Sequence, residues 1–118
     1  MTFRSIILGF AAIAFGTMGQ AQGLTFSFDN EFTEDLAIEF YSQDRNHVWP
    51  GGSDVYVLGT SDGAMSYSLS CQPGENICFG AWTQDRRNFW GGGVDMSESC
   101  EACCAVCDGS VLDTIELY

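Results

Sequence analysis

Four cysteines fall within eight residues in Cys100-Glu-Ala-Cys-Cys-Ala-Val-Cys107, and two more, Cys71 and Cys78, flank the turn-forming segment Gln72-Pro-Gly-Glu75. Thiols at this density have three chemistries open to them. Cys-x2-Cys is the ligand spacing of a zinc knuckle, and two such pairs abut here, so a zinc- or copper-binding cluster on Cys100, Cys103, Cys104 and Cys107 is one. Thiol–disulfide catalysis is the second, but it wants a single exposed Cys-x2-Cys opening a helix in a βαβ frame, and that pattern is missing. Cross-linking is the third, and an even count of six cysteines is what a disulfide framework requires.

Other reactive residues are sparse. His47 is the lone histidine, in Arg45-Asn-His-Val-Trp-Pro50, with Asp44 close by. No serine sits between a predicted strand and a predicted helix as a nucleophile elbow requires, so a small hydrolase built on His47 has little else to work with. The spaced carboxylates Glu31, Glu34, Asp35 and Glu39 read as solvated charge. The expectation is no catalysis.

The elements that hold these residues follow from the two ends and the middle of the chain. Arg4, then the apolar run Ile6 to Phe15, then Gly19-Gln-Ala21 form a secretory signal over residues 1–21, with cleavage after Ala21 and a mature single domain over 22–118. That places the product in the periplasm or outside the cell, where disulfides persist. The apolar run is too short to span a bilayer, so no membrane insertion is expected after cleavage. A domain this small has a marginal core and gains from cross-links.

Charge narrows the partners. Sixteen carboxylates face four arginines and no lysine, for a net charge of −12. Nucleic acid and anionic lipid both need clustered cations, so neither is an expected partner. No calcium-loop motif is present, and no cofactor is expected.

Period-two runs bounded by Gly, Pro, Asn and Asp dominate: Leu24–Phe28, Leu36–Tyr41, Asp54–Leu58, Met65–Leu69, Ile77–Trp82 and Thr114–Tyr118. Leu24, Phe26 and Phe28 share one face, as do Leu36, Ile38 and Phe40, which predicts a mainly β fold, a small antiparallel β-sandwich. One short Cys-rich helix is predicted near the C-terminus. Asp95 and Glu98 have capping-box spacing, Gly109 is placed to stop the helix, and the four clustered cysteines fall on one helical face. Neighbours on such a face sit about 5–6 Å apart at Cβ, whereas a disulfide needs about 3.8 Å. Some of them must therefore bridge to Cys71 and Cys78, which makes the fold disulfide-stapled.

Residues 36–55 and 77–96 also resemble one another at an offset of 41. Over Ser42–Val55 and Thr83–Met96, seven of fourteen positions are identical, enough to define a strand followed by [ST]-Q-D-R-x-x-x-W-x-G-G-x-D. Two similar strand-end loops could then meet as one ligand-binding surface. Trp49 and Trp90 would supply stacking area, Arg45 and Arg86 planar donors, and Gly51, Gly52, Gly92 and Gly93 close approach, suited to a glycan or protein partner. The competing expectation turns both indoles inward and pairs each Arg with its neighbouring Asp.

Leu24-Thr-Phe-Ser-Phe-Asp-Asn30, Trp49-Pro-Gly51, Cys71-Gln-Pro-Gly-Glu-Asn-Ile-Cys-Phe-Gly-Ala-Trp82, Trp90-Gly91 and Cys100-x2-Cys-Cys-x2-Cys107 together resemble a family of small exported proteobacterial proteins. The resemblance covers nearly all of 22–118 and brings no activity with it. The Phe26-x-Phe28-x-Asn30 opening also looks like the first strand of thaumatin-like and aegerolysin-like β-sandwiches, a likeness of fold alone. The expectation is a secreted binding or interaction module, with the zinc- or copper-binding thiol protein as the alternative.

Overall fold

Alternation of large apolar and small polar residues draws β1 (Gln22–Asn30) into the middle of a sheet, its Leu24, Phe26 and Phe28 fully buried. The computed structural model describes residues 22–118; the expected leader, residues 1–21, lies outside them. On one side β1 pairs antiparallel with β5 (Ala64–Cys71), and on the other it pairs parallel with β9 (Val111–Leu117). Parallel pairing of β9 departs from the purely antiparallel expectation.

The second sheet has six strands. Its path runs β3 (Val48–Trp49), β2 (Leu36–Ser42), β6 (Asn76–Thr83) and β7 (Phe89–Gly91), with β4 (Tyr56–Leu58) also on β2 and β8 (Cys104–Val106) also on β6. Leu36, Ile38 and Phe40 of β2 and Ile77, Phe79 and Ala81 of β6 face the first sheet. Aromatic rings close the gap, with Phe26 and Phe40 centroids 4.8 Å apart and Phe28 and Phe79 also 4.8 Å apart. Burial of side chains this size is the main stabilising term, about 1.5–3 kcal/mol each. The mainly β class and the sandwich-like layering agree with the alternation.

The Cys-rich helix is not formed. Between Asp95 and Gly109 the chain makes a 3-10 turn (Val94–Met96), loops, and strand β8. Asp95 and Met96 take φ values of 54° and 56°, left-handed backbone that no α-helix contains. The physical reason is where the bridges go. Cys71 bonds Cys107, Cys78 bonds Cys104, and Cys100 bonds Cys103. Cys71 points with Leu69 into the space between the sheets, whereas Cys78, between Ile77 and Phe79, points to the other side of β6, where the segment carrying Cys103 and Cys104 covers it. Two staples on opposite faces need partners an odd number of residues apart in extended chain, and Cys104 and Cys107 provide that. A helix would have put them on one side.

The two similar segments become two matched hairpins. In the first, Phe40 faces Trp49; in the second, Ala81 faces Trp90, each pair displaced by the same 41 positions. Ser42 N–H donates to the His47 carbonyl and Thr83 N–H to that of Asn88, both at 3.0 Å. β2 and β6 lie antiparallel, with the equivalent residues Glu39 and Gly80 opposite one another. The hairpin loops therefore leave the sheet at opposite ends.

Candidate functional site

Residues of β2 and β6 that point away from the core form the outer face of the six-stranded sheet. Ala37, Glu39 and Tyr41 stand beside Trp82, Gly80 and Cys78 in register. At one end, Val57 of β4, Ala37 and Trp82 make an apolar row across three strands, and Phe89 of β7 extends it. Val57 is 62% exposed and Phe89 48%, large apolar groups left in water. Val57, Ala37 and Trp82 floor a cleft of about 730 Å³, walled by Thr33, Asp35, Val55, Gln84 and Arg86.

Arg86 is held over this cleft by its own loop. It occupies left-handed backbone, φ 61°, and its N–H closes the turn onto Thr83 O at 2.8 Å. Thr83 Oγ1 donates to Asp85 at 2.7 Å, which, with the Arg87 N–H, holds the Asp85 carboxyl below its usual range. Among the described residues Arg45 pairs with Glu75 and Arg87 lies near Asp85, while Arg86 makes no ion pair. Asp35, across the cleft, is already engaged by the Thr60 N–H at 3.1 Å.

The middle of the outer face is covered. Tyr41 Oη lies 3.2 Å from both Glu39 Oε1 and Gly93 O and accepts from Asp95 N–H at 3.0 Å. Burial raises both the Tyr41 hydroxyl and the Glu39 carboxyl above their ordinary ranges. Gly93 is pressed against Gly80, so close that a Cβ at Gly80 would collide with the Gly93 carbonyl.

At the far end lie the sulfurs. Sγ atoms of Cys78, Cys103 and Cys104 fall within 4.8 Å of one another, the one group among the described residues with soft-metal ligand spacing. Cys107, expected to join such a cluster, instead bonds Cys71.

The structure places the residues expected to share a binding surface as follows. Trp49 is buried, 8% exposed, with its Nε1 donating to Ser70 O at 3.0 Å. Trp90 is half-buried, edge-on to Phe32 at 5.1 Å, with Nε1 donating to Tyr118 O. Arg45 lies 5.7 Å from the Trp49 ring centroid and binds Glu75, neither free nor paired with Asp44, whose carboxylate accepts from Asn76 N–H. Gly51 and Gly52 turn the chain after Trp49 with φ of 100° and 64°. Gly92 packs on Met96, and Gly93 sits beneath Phe89 and Glu98. Loops at opposite ends do not bring the two sets together, and of the eight only Arg86 lines the cleft. His47 stacks edge-on against Trp49 at 4.5 Å.

Trp82, Ala37 and Val57 were missed as site residues. Their signal was the alternation itself, because core positions 77, 79 and 81 force 82 to the other face.

No family model, curated protein or solved structure matches this chain.

Proposed function

We propose that the chain is an exported binding module, in the periplasm or outside the cell, whose ligand docks in the cleft over Val57, Ala37 and Trp82. The observation that carries this reading is the pairing of an apolar row, its Val57 exposed, with Arg86, a cation left without a carboxylate partner among the described residues. Three disulfides fit an oxidising, non-cytoplasmic environment. Among the described residues no helix is long and apolar enough to cross a membrane.

The ligand class follows from chemistry. Ring faces of a neutral glycan cover the apolar row, and their hydroxyls, or a single carboxylate, accept from the planar guanidinium of Arg86. A polyanion is disfavoured by the net charge of −12. This reading gives no catalytic part to His47, whose ring lies against Trp49 at the opposite end of β2 from the cleft.

The test is a panel of neutral and singly acidic oligosaccharides, read by tryptophan fluorescence on the wild type and on the Trp49→Phe, Trp90→Phe double variant, which leaves Trp82 as the one tryptophan. Arg86→Ala is expected to weaken binding about tenfold, the loss of roughly 1.4 kcal/mol. Binding unchanged in both Arg86→Ala and Val57→Asp would sink the cleft as the site.

A further inference from the structure

The sulfur cluster lies away from the cleft and can do something that the cleft cannot. Cys103 Sγ and Cys104 Sγ are 3.8 Å apart without being bonded to each other. Cys78 Sγ completes a triangle within 4.8 Å, and Cys100, bonded to Cys103, adds a fourth sulfur one bond away. A zinc–thiolate bond is about 2.3 Å, so a tetrahedral four-thiolate site has sulfur–sulfur edges of about 3.8 Å. One edge of that tetrahedron is already set by the backbone.

Placement of the donors also suits a metal. Cys78 comes from β6, and Cys100, Cys103 and Cys104 come from the segment that folds back onto it, so two chain segments close around one point. The backbone of the cluster is pinned independently, since Phe79 N–H donates to Cys103 O at 3.0 Å. The third bridge, Cys71–Cys107, is separate, both of its residues being 1% exposed in the core. Each of the other two bridges has one partly exposed member, Cys104 or Cys100. Thiol exchange requires access to a sulfur, so a reductant reaches these two bridges first.

We propose that Cys78, Cys100, Cys103 and Cys104 form a zinc site that opens when their two disulfides are reduced, while Cys71–Cys107 keeps the sandwich closed. The reductant is a dithiol. Each bridge takes two electrons and two protons from one dithiol, which closes to its own cyclic disulfide, leaving four thiols on the protein. Zinc then displaces the four thiol protons and is held by four thiolates, a centre of net charge −2. The acidic surface raises the local concentration of the cation.

The experiment uses the full chain, treated with dithiothreitol, desalted without oxygen and titrated with cobalt(II). One equivalent is expected, with the thiolate-to-cobalt charge-transfer bands and tetrahedral ligand-field bands of a four-sulfur site, displaced by one equivalent of zinc. Alkylation and mass mapping of the loaded protein should find Cys71 still bonded to Cys107 and the other four cysteines protected. Cys78→Ser and Cys100→Ser should each weaken cobalt binding at least about tenfold, whereas wild-type mapping makes the result independent of how well either variant folds. Reduced protein that takes up no metal, that unfolds instead, or that protects Cys71 and Cys107 in place of Cys78 and Cys100 overturns the proposal. Failure of glycan binding would leave these outcomes untouched.

Discussion

Arg45 holds Glu75 by two parallel hydrogen bonds, Nε to Oε2 at 2.6 Å and Nη2 to Oε1 at 3.0 Å, between residues 30 apart in the chain. The Glu75 side chain is 1% exposed and that of Arg45 34%, so a nearly buried carboxylate is neutralised by a guanidinium that still touches water. Glu75 also accepts the Gln72 N–H at 2.9 Å. The pair joins the first hairpin loop to the turn between Cys71 and Cys78, and the Glu75 carbonyl receives the Cys107 N–H at 2.8 Å. One side chain thus organises the ground on which the Cys71–Cys107 bridge stands.

Acid should loosen this corner. Arg45 chiefly, helped by the Gln72 N–H, holds the Glu75 carboxyl down at about 2. A depressed carboxylate adds stability that is complete above the ordinary carboxylate range and is lost as pH falls through that range towards 2. Glu75→Gln removes the charge at every pH and is expected to cost about 2 kcal/mol near neutrality, typical of hydrogen bonds to a charged group. Urea denaturation at several pH values checks it: the wild-type and variant midpoints should converge as pH drops towards 2. Parallel curves with a constant gap would refute the assignment.

Gly80→Ala should be among the most damaging single-atom additions in the protein. Its Cβ would strike the Gly93 carbonyl and crowd the Tyr41 ring. Gly93 itself has φ 65° and ψ −149°, a region open essentially to glycine alone, so it cannot easily retreat. The expected loss is about 3 kcal/mol, at the upper end of overpacking costs, read as a lowered denaturation midpoint. Gly52→Ala is the control for backbone strain alone, because no atom lies within 4 Å of its added Cβ. A Gly80→Ala loss no larger than that of Gly52→Ala would show that the segment around Gly93 moves freely.

Tyr67→Phe should stabilise. The Tyr67 hydroxyl is buried without a hydrogen-bond partner among the described residues, in an aromatic cluster where its ring lies 4.9 Å from Tyr56 and 6.0 Å from Phe40. Removing an unsatisfied buried oxygen while keeping the ring is expected to gain about 1 kcal/mol, seen as a higher melting temperature. A lower melting temperature would mean that the hydroxyl has a partner.

Much of the sandwich was legible because its signal is local. Alternation in Leu24–Phe28 and Leu36–Tyr41 is dictated by which face of a strand meets the core, and the structure keeps that parity. The cysteine helix was misread because Cys100, Cys103, Cys104 and Cys107 satisfy helical spacing, while their conformation is decided by Cys71 and Cys78, which lie on opposite sides of the six-stranded sheet. Spacing within a segment cannot report a constraint imposed from elsewhere in the chain. Antiparallel pairing of β2 with β6 was likewise invisible, and it sends the two similar loops apart. Arg45 was expected either free or on Asp44, and its true partner Glu75 is adjacent only in the fold. The cleft depends on Val57 of β4 reaching the Ala37–Trp82 row, a juxtaposition created by strand order.

The central position of β1 also sets a schedule. It is the first strand of the described domain, yet its parallel neighbour is β9, and Ser27 meets Thr114 across 87 residues. As the chain is synthesised, β1 emerges with its apolar face ready and neither flanking strand made. Its antiparallel neighbour β5 arrives midway, and its other edge stays open until the last strand appears. Closure of long loops must precede any reward from these pairings, which makes folding slow for a chain of this size. Phe26 and Phe28 therefore lie in a strand whose second edge cannot be covered before β9 has been made.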